Sequence, residues 1–377
     1  MFLAAGAALA FEVALTRICS VLLQYHLSFA VVSMAVLGIG LGGFVAYAGT
    51  RRRPDAVPSW TGGALVALPL GILLALVVLL RLPFARHWPW LIFLVLPMFA
   101  AAGAYQSLVL RQFVDRAGRL YAADLAGGAV GALLAAAALG PLRGPIDFAL
   151  VLAVASAGFA WLWTGGRGVA GRCAPLALGL ALVATLAQAL GGWLDVSYAR
   201  APDKLLTRLL RPTSLGTPRL VPELQRWDAY SRVDVLELAA PRGTQRLVFI
   251  DGETPTPMLE AGSASPNEAG VEVRAALAAL PCRIAAPDDV LSIGTGGGYD
   301  VVLARAFGAR RIDAVELNAG VLDVVQAARD YAGDVYGQPG VRLHHAEGRL
   351  FSRRSSESTL VSVPGIITRT FSRPSCS

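Results

Sequence analysis

Val290-Leu291-Ser292-Ile293-Gly294-Thr295-Gly296-Gly297-Gly298-Tyr299-Asp300, followed later by Ala314-Val315-Glu316-Leu317-Asn318, is the stretch that decides the fold. A short apolar run meets a glycine cluster, an apolar-periodic segment follows, and a second apolar run ends in an acid. The pattern predicts strand, tight turn, helix, strand and a terminal carboxyl group. Glycines let a ligand approach the backbone closely. A carboxyl group at the end of the second strand can accept hydrogen bonds from both hydroxyls of a ribose.

The glycine spacing discriminates between nucleotide ligands. A dinucleotide fingerprint needs G-x-G-x-x-G. Counted from Gly294 the third glycine would fall at Tyr299, and counted from Gly296 at Val301. The observed G-x-G-x-G of Gly294, Gly296 and Gly298 is the S-adenosylmethionine type, in which no pyrophosphate has to be held. Asp300, Glu316 and Asn318 complete the cofactor-side candidates. Glu316 stands about twenty residues past the glycines, where a ribose-binding acid belongs.

Upstream, the chain has a different character. Hydrophobic residues make up 55% of the sequence and charged residues only 16%, too apolar for an ordinary soluble protein. The excess lies before residue 195. Seven spans approach the roughly twenty residues that cross a bilayer: Phe2–Leu23, Leu27–Ala48, Gly62–Leu80, Leu91–Leu110, Tyr121–Leu139, Phe148–Trp163 and Pro175–Leu194. The first lacks a basic leader and carries Glu12 and Arg17, so it reads as a retained helix.

Arginines follow alternate spans: Arg51, Arg52 and Arg53, then Arg111, Arg116 and Arg119, then Arg167 and Arg172. Such residues mark the cytoplasmic side. Seven spans would then put the glycine-motif region outside, where S-adenosylmethionine is not available. One span is therefore expected to be miscounted or re-entrant, with Tyr121–Leu139 and Phe148–Trp163 the candidates. Arg200, Lys204, Arg208 and Arg211 follow the last span at helical spacing, opposite a leucine face. They read as an interfacial amphipathic helix against anionic headgroups. The +7 net charge is thus assigned to the membrane and not to nucleic acid, because the arginines are scattered and not interleaved with aromatics.

Glu12, Arg17 and Asp124 are costly in lipid and need partners inside the bundle. Arg17 with Asp124 is the expected pair. Gly38, Gly40, Gly42 and Gly43 point to close helix packing. Cys19, Cys173, Cys282 and Cys376 lie far apart and make no C-x-x-C, so no zinc site or disulfide framework follows. His344 and His345 end a third strand and point to opposite faces, which argues against a joint metal site. Between membrane and glycine motif, Arg232–Leu238 and Arg246–Asp251 alternate as strands and lead into the turn-prone Gly252–Asn267. They predict a β-hairpin unit over the cofactor cleft.

Taken together these segments resemble the membrane-fused, spermidine-synthase-like proteins. The resemblance is carried by several further motifs. They are Leu120-Tyr121-Ala122-Ala123-Asp124-Leu125-Ala126-Gly127-Gly128, Trp227-Asp228-Ala229-Tyr230-Ser231-Arg232, Ile250-Asp251-Gly252 and Glu347-Gly348-Arg349-Leu350-Phe351. It implies a polytopic helical membrane domain (1–195), a basic juxtamembrane linker (196–225) and a β-hairpin region (226–270). After these come a partial Rossmann-like, class I S-adenosylmethionine-type domain (271–351) and a tail (352–377).

The implied activity is aminopropyl or methyl transfer to a small amine from S-adenosylmethionine or its decarboxylated form. The implied place is a bacterial inner membrane, with the C-terminal domain cytoplasmic. Glu347 and Gly348 match the family's adenine-side acid segment, and Tyr230 and Asp251 are the substrate-side candidates. The alternative is a transporter or sensor with a nucleotide-binding module.

Two departures stand out. The family's acid in the glycine turn is Gly297 here. The family's catalytic aspartate, at the end of the strand after the Glu-Gly-Arg segment, has no counterpart, because 352–377 contains no Asp. That Ser/Arg-rich tail reads as out-of-frame or truncated sequence, in which Val361–Ile367 makes at most one short strand. The chain as written is expected to be catalytically inactive.

Overall fold

The computed structural model describes residues 1–23, 25–81, 95–198, 201–212, 216–240, 243–261, 280–282, 284, 288–354, 360–363 and 366–368. Residues 262–267 of the turn-prone Gly252–Asn267 stretch, Arg200, Cys376 and the end of the tail lie outside these residues. The chain forms two compact units, Met1–Thr207 and Arg208–Ser377.

The first unit is a helical bundle of α1 (Phe2–Leu22), α2 (Tyr25–Thr50), α3 (Val57–Arg81), α4 (Leu96–Gln112), α5 (Ala117–Ala138), α6 (Pro145–Thr164), α7 (Gly168–Gly191) and a five-residue α8 (Leu205–Leu209). Among the described residues six helical stretches are long and apolar enough to cross a membrane. α5 and α6 are among them, so both candidates for the miscounted span are full-length helices. The described part of the fourth span, α4, has 17 residues, about 26 Å at 1.5 Å per residue. Helices suit this composition because lipid cannot hydrogen-bond a peptide group, so each must be satisfied within the helix. Even the buried hydroxyls turn inward: Thr50 donates to the Ala46 carbonyl (2.6 Å) and Thr61 to that of Val57 (2.8 Å).

Glycines set the helix pairs. A Cβ at Gly127 would run into the Phe2 carbonyl, and one at Gly131 into that of Gly6. A Cβ at Gly42 would meet Ala100, and one at Gly103 the Ile39 carbonyl. Small residues let backbones touch where no hydrophobic force separates protein from lipid. The expected packing role holds for Gly38 and Gly42. Gly40 has nothing within 4 Å.

α1 and α5 climb together, Phe2 beside Gly127 and Gly6 beside Gly131. Asp124 is therefore level with the N-terminus, while Arg17 lies near the far end of α1. About 25 Å of axial rise separates them, so the expected Arg17–Asp124 pair does not form. Gln106 Nε2 donates to Asp124 Oδ1 instead, at 3.0 Å.

The expected interfacial helix also differs. α8 covers only Leu205–Leu209, and Lys204 is buried, with its Nζ donating to the Ser20 carbonyl at 2.8 Å. The ammonium caps the carbonyl end of α1, where peptide oxygens lack partners and the helix dipole favours a cation.

The second unit has two sheets. The antiparallel one comprises β1 (Arg219–Leu220), β2 (Arg226–Trp227), β3 (Arg232–Ala240), β4 (Gly243–Ile250) and β5 (Glu253–Met258). It runs in the order β1-β3-β4-β5, with β2 also on β3. The other comprises β6 (Asp289–Ile293), β7 (Arg311–Glu316), β8 (Val341–His345), β9 (Leu360–Val363) and β10 (Ile366–Thr368), in the order β10-β9-β6-β7-β8. β6 to β9 are parallel neighbours, and β10 turns back on β9. Four further helices belong to this unit: α9 (Tyr299–Ala306), α10 (Ala319–Ala327), α11 (Arg329–Ala332) and α12 (Gly348–Arg354).

The tail thus supplies two short strands rather than at most one. Its Leu, Val and Ile residues find a ladder beside β6, and Pro364-Gly365 separates the two strands in sequence. One apolar cluster, including Val233, Val235, Val248, Met258, Val290, Ile312 and Val324, runs through both sheets.

Candidate functional site

In the parallel sheet, chain order advances from β6 to β7 to β8 on one side and crosses to β9 on the other. Ligands of open α/β sheets bind at such a reversal, outside the carboxyl ends of the strands. The glycine turn sits there. Gly294, Gly296 and Gly298 have φ of 72°, 55° and 81°, values that residues with a Cβ rarely adopt. The Gly294 N–H donates to the Val315 carbonyl (2.8 Å), tying the turn to β7. Gly298 leads into α9, whose first turn carries Asp300.

Thr295 to Gly298 are buried because β5 lies over them. An added Cβ at Gly296 would meet the Thr256 side chain, and one at Gly297 the Pro257 carbonyl. The cover comes from β5, a strand within the stretch read as turn-prone, and not from the two expected hairpin strands, and Gly297 has no room for a side chain without β5 shifting.

Glu316 ends β7 and is buried, with 6% of its surface exposed. Its Oε2 accepts the Gly296 N–H (3.0 Å) and its Oε1 the Asn318 N–H (2.9 Å). Each carboxylate oxygen offers about two lone-pair sites. Among the described residues these are the two hydrogen bonds Glu316 accepts, which leaves one site on each oxygen for the two donors of a vicinal diol. Asn318 has a local task. Its Oδ1 caps α10 at the Val321 N–H (3.2 Å), and its Nδ2 donates to Ser231 Oγ.

Tyr230 is exposed and sits in a turn built by Asp228. Asp228 Oδ1 accepts the N–H groups of Tyr230 (2.7 Å) and Ser231 (2.8 Å), and Oδ2 accepts that of Gly320 (3.0 Å). Tyr230 is thereby stitched to the start of α10, next to Asn318. Asp251 is a structural pin. Its Oδ1 accepts the Arg232 N–H at 2.8 Å, and its own N–H donates to the Arg232 carbonyl at 2.8 Å. Glu347 is exposed and caps α12, accepting from the N–H groups of Arg349 (3.0 Å) and Leu350 (2.7 Å). Those bonds hold its carboxyl below the usual range. Gly348 packs under Ile293, whose side chain an added Cβ would strike, so this segment reaches the end of β6.

The structure therefore gathers Gly294, Gly296, Gly298, Asp300, Glu316 and Asn318, with Gly348 beside them. Glu12, Arg17 and Asp124 belong to the other unit. His344 and His345 diverge as expected: one ring nitrogen meets Asp313 Oδ1 (2.8 Å), the other the Leu317 carbonyl (3.0 Å).

Tyr336 is the residue that sequence reasoning missed. Its hydroxyl donates to the Gly296 carbonyl at 2.7 Å, and burial pushes its phenol well above the ordinary value, so it stays a donor. It follows no motif, and nothing local would have found it. Asp228 had a signal, an Asp whose carboxyl can serve the backbone two and three residues on. Comparison with family models and with curated proteins returns no match.

Proposed function

We propose that the chain is an integral membrane protein of the spermidine-synthase-like kind. Its C-terminal unit is a partial Rossmann-like module that binds an adenosyl donor, S-adenosylmethionine or its decarboxylated form. The observation that carries this reading is Glu316: buried, at the strand end beside the glycine turn, with one lone pair open on each oxygen. A glycine turn with G-x-G-x-G spacing leaves no third glycine for a pyrophosphate and disfavours NAD.

A relative of this kind would transfer an aminopropyl or methyl group to a small amine, and needs a carboxylate to position or deprotonate it. No Asp stands in 352–377 to supply it. β9 holds the place beside β6 where the family's aspartate-ended strand belongs, and Pro364-Gly365 follows it in sequence. Asp251 is engaged by the Arg232 backbone. These observations favour ligand binding without turnover, as in a transporter or sensor with a nucleotide-binding module. The donor chemistry asks for a cytoplasmic unit at a bacterial inner membrane.

The test is titration calorimetry on the purified chain. S-adenosylmethionine or its decarboxylated form should bind and NAD should not. Glu316→Ala should weaken binding by roughly 1.5–3 kcal/mol, the range for a hydrogen bond to a charged group. NAD binding of equal strength, or indifference to Glu316→Ala, would overturn the reading.

A further inference from the structure

The bundle carries a record of its own threading, in contacts within Met1–Thr207 alone. α1 and α5 run parallel, Phe2 beside Gly127 and Gly6 beside Gly131. α2 and α4 also run parallel. Gly38 lies by Leu96 and Phe99, Gly43 by Ser107, and Arg111 donates to Thr50 Oγ1 at 2.7 Å. α3 and α4 run antiparallel, since Gly71 meets Met98 while Gln112 Nε2 donates to Thr61 Oγ1 (2.8 Å). α3 and α7 are parallel: Gly62 lies by Ala170 at one end, and Arg81 donates to the Trp193 carbonyl (3.1 Å) at the other.

Short connections reverse the chain between α1 and α2, between α5 and α6 and between α6 and α7, and with them one arrangement satisfies all four relations, with each of the seven helices α1 to α7 reversing the one before it. The chain therefore passes from the face of Arg81 to the face of Gln112 between the end of α3 and the end of α4. If it turned back within the bilayer, α5 could not run parallel to α1.

Two faces follow. One holds Met1, Thr50, Thr61, Arg111 and Thr164, and with them the loops of Arg51–Arg53, Arg116 and Arg167. The other holds Ser20, Arg81 and Trp193. Lys204 is tied to this second face through the Ser20 carbonyl at 2.8 Å, so the chain leaves the bundle there. We infer that the protein crosses the membrane seven times, with its N-terminus and arginine loops on one side and the exit of the chain on the other. The two localisation expectations, arginine loops inside and C-terminal unit inside, therefore exclude each other. This inference does not rest on the ligand reading.

The test places single cysteines at exposed positions of each face, Ser59→Cys and Asp195→Cys, in a chain whose four native cysteines are alanine. A membrane-impermeant maleimide is applied to intact cells and then to permeabilised cells. One position should label before permeabilisation and the other only after it. Labelling of both positions, or of neither, on intact cells would overturn the inference.

A second measurement avoids the cysteine-free background. A short epitope is inserted after Ser59, or after Asp195, in the otherwise native chain and probed with antibody on intact and permeabilised cells. On intact cells only one of the two epitopes should be detected, and detection of both, or of neither, there would overturn the inference. If Asp195→Cys is the position labelled on intact cells, the cytoplasmic donor reading fails while the seven-pass reading stands.

Discussion

Glycine does opposite work in the two units. In the bundle, Gly42, Gly103, Gly127 and Gly131 keep ordinary helical backbone and are needed because a neighbouring helix occupies the place of a Cβ. In the C-terminal unit, Gly294, Gly296 and Gly298 are needed first for a backbone that other residues rarely adopt, and only then for the cover of β5. The bundle is held by close approach between apolar helices. The C-terminal unit is held by polar pins: half-buried Asp228 and Asp251 and buried Glu316 and Asn318 each satisfy backbone N–H groups of a turn, strand or helix start. The difference follows the solvent. Lipid offers no hydrophobic gain for association, so contact distance decides. In water, irregular loops persist only if their buried backbone groups are satisfied.

The contrast can be broken most forcefully at the buried pair Arg232–Asp234. The two atoms meet at 3.0 Å with side chains 4% and 2% exposed. Arg232→Ala leaves Asp234 buried without that cation and should destabilise the C-terminal unit by about 3–5 kcal/mol. Denaturant unfolding followed by tryptophan fluorescence reads it, and a loss below 1 kcal/mol would show that polar pins matter less there than argued.

The counterpart in the bundle is Gly127→Leu, which drives a side chain into the Phe2 carbonyl. About 2–3 kcal/mol should be lost, read as a lower thermal midpoint in detergent. Gly40→Ala, with nothing nearby, should leave that midpoint unchanged. Equal effects would mean that helix approach is not the reason for these glycines.

Glu316→Gln should cost the C-terminal unit about 1–2 kcal/mol without ligand. An amide can accept only one of the two N–H groups, and the other is left unsatisfied. Hydrogen exchange at the Gly296 and Asn318 amides should rise. Unchanged protection at both would place the turn's stability in the cover from β5.

The smallest effect concerns Glu237. Its partial burial alone would raise its carboxyl, but hydrogen bonds from Arg219 and Arg246 outweigh that and hold it below its ordinary value of 4.5. A depressed carboxyl stabilises the fold fully above the unfolded value, and the contribution is lost as pH falls through the folded one. Glu237→Gln should therefore flatten the acid side of the stability profile below about pH 4.5 and leave its alkaline side alone. An unchanged acid limb would count against the ion pair.

The membrane spans, the glycine turn and the acid at the end of β7 were legible in the sequence because each rests on local physics. A twenty-residue apolar run has one good way to cross lipid. A glycine cluster between apolar runs has few conformations that need it, and an acid at a strand end is placed by the strand. The hairpin strands were legible through their alternation.

Pairing was not legible. Nothing local told Asp124 that it would miss Arg17, because that depends on α1 and α5 running parallel, a register fixed by Gly6, Gly127 and Gly131 together. Nor did the spacing of Arg200, Lys204 and Arg208 reveal that Lys204 would turn inward to the end of α1. Tyr336 reaches Gly296 over a 40-residue separation through a core that only the folded chain assembles. By itself the sequence determined which segments are helices and strands and where the glycines must bend, since periodicity and backbone sterics act over a few residues. Tertiary structure alone decided which buried polar group satisfies which, because a donor and an acceptor far apart in sequence meet only when packing brings them together.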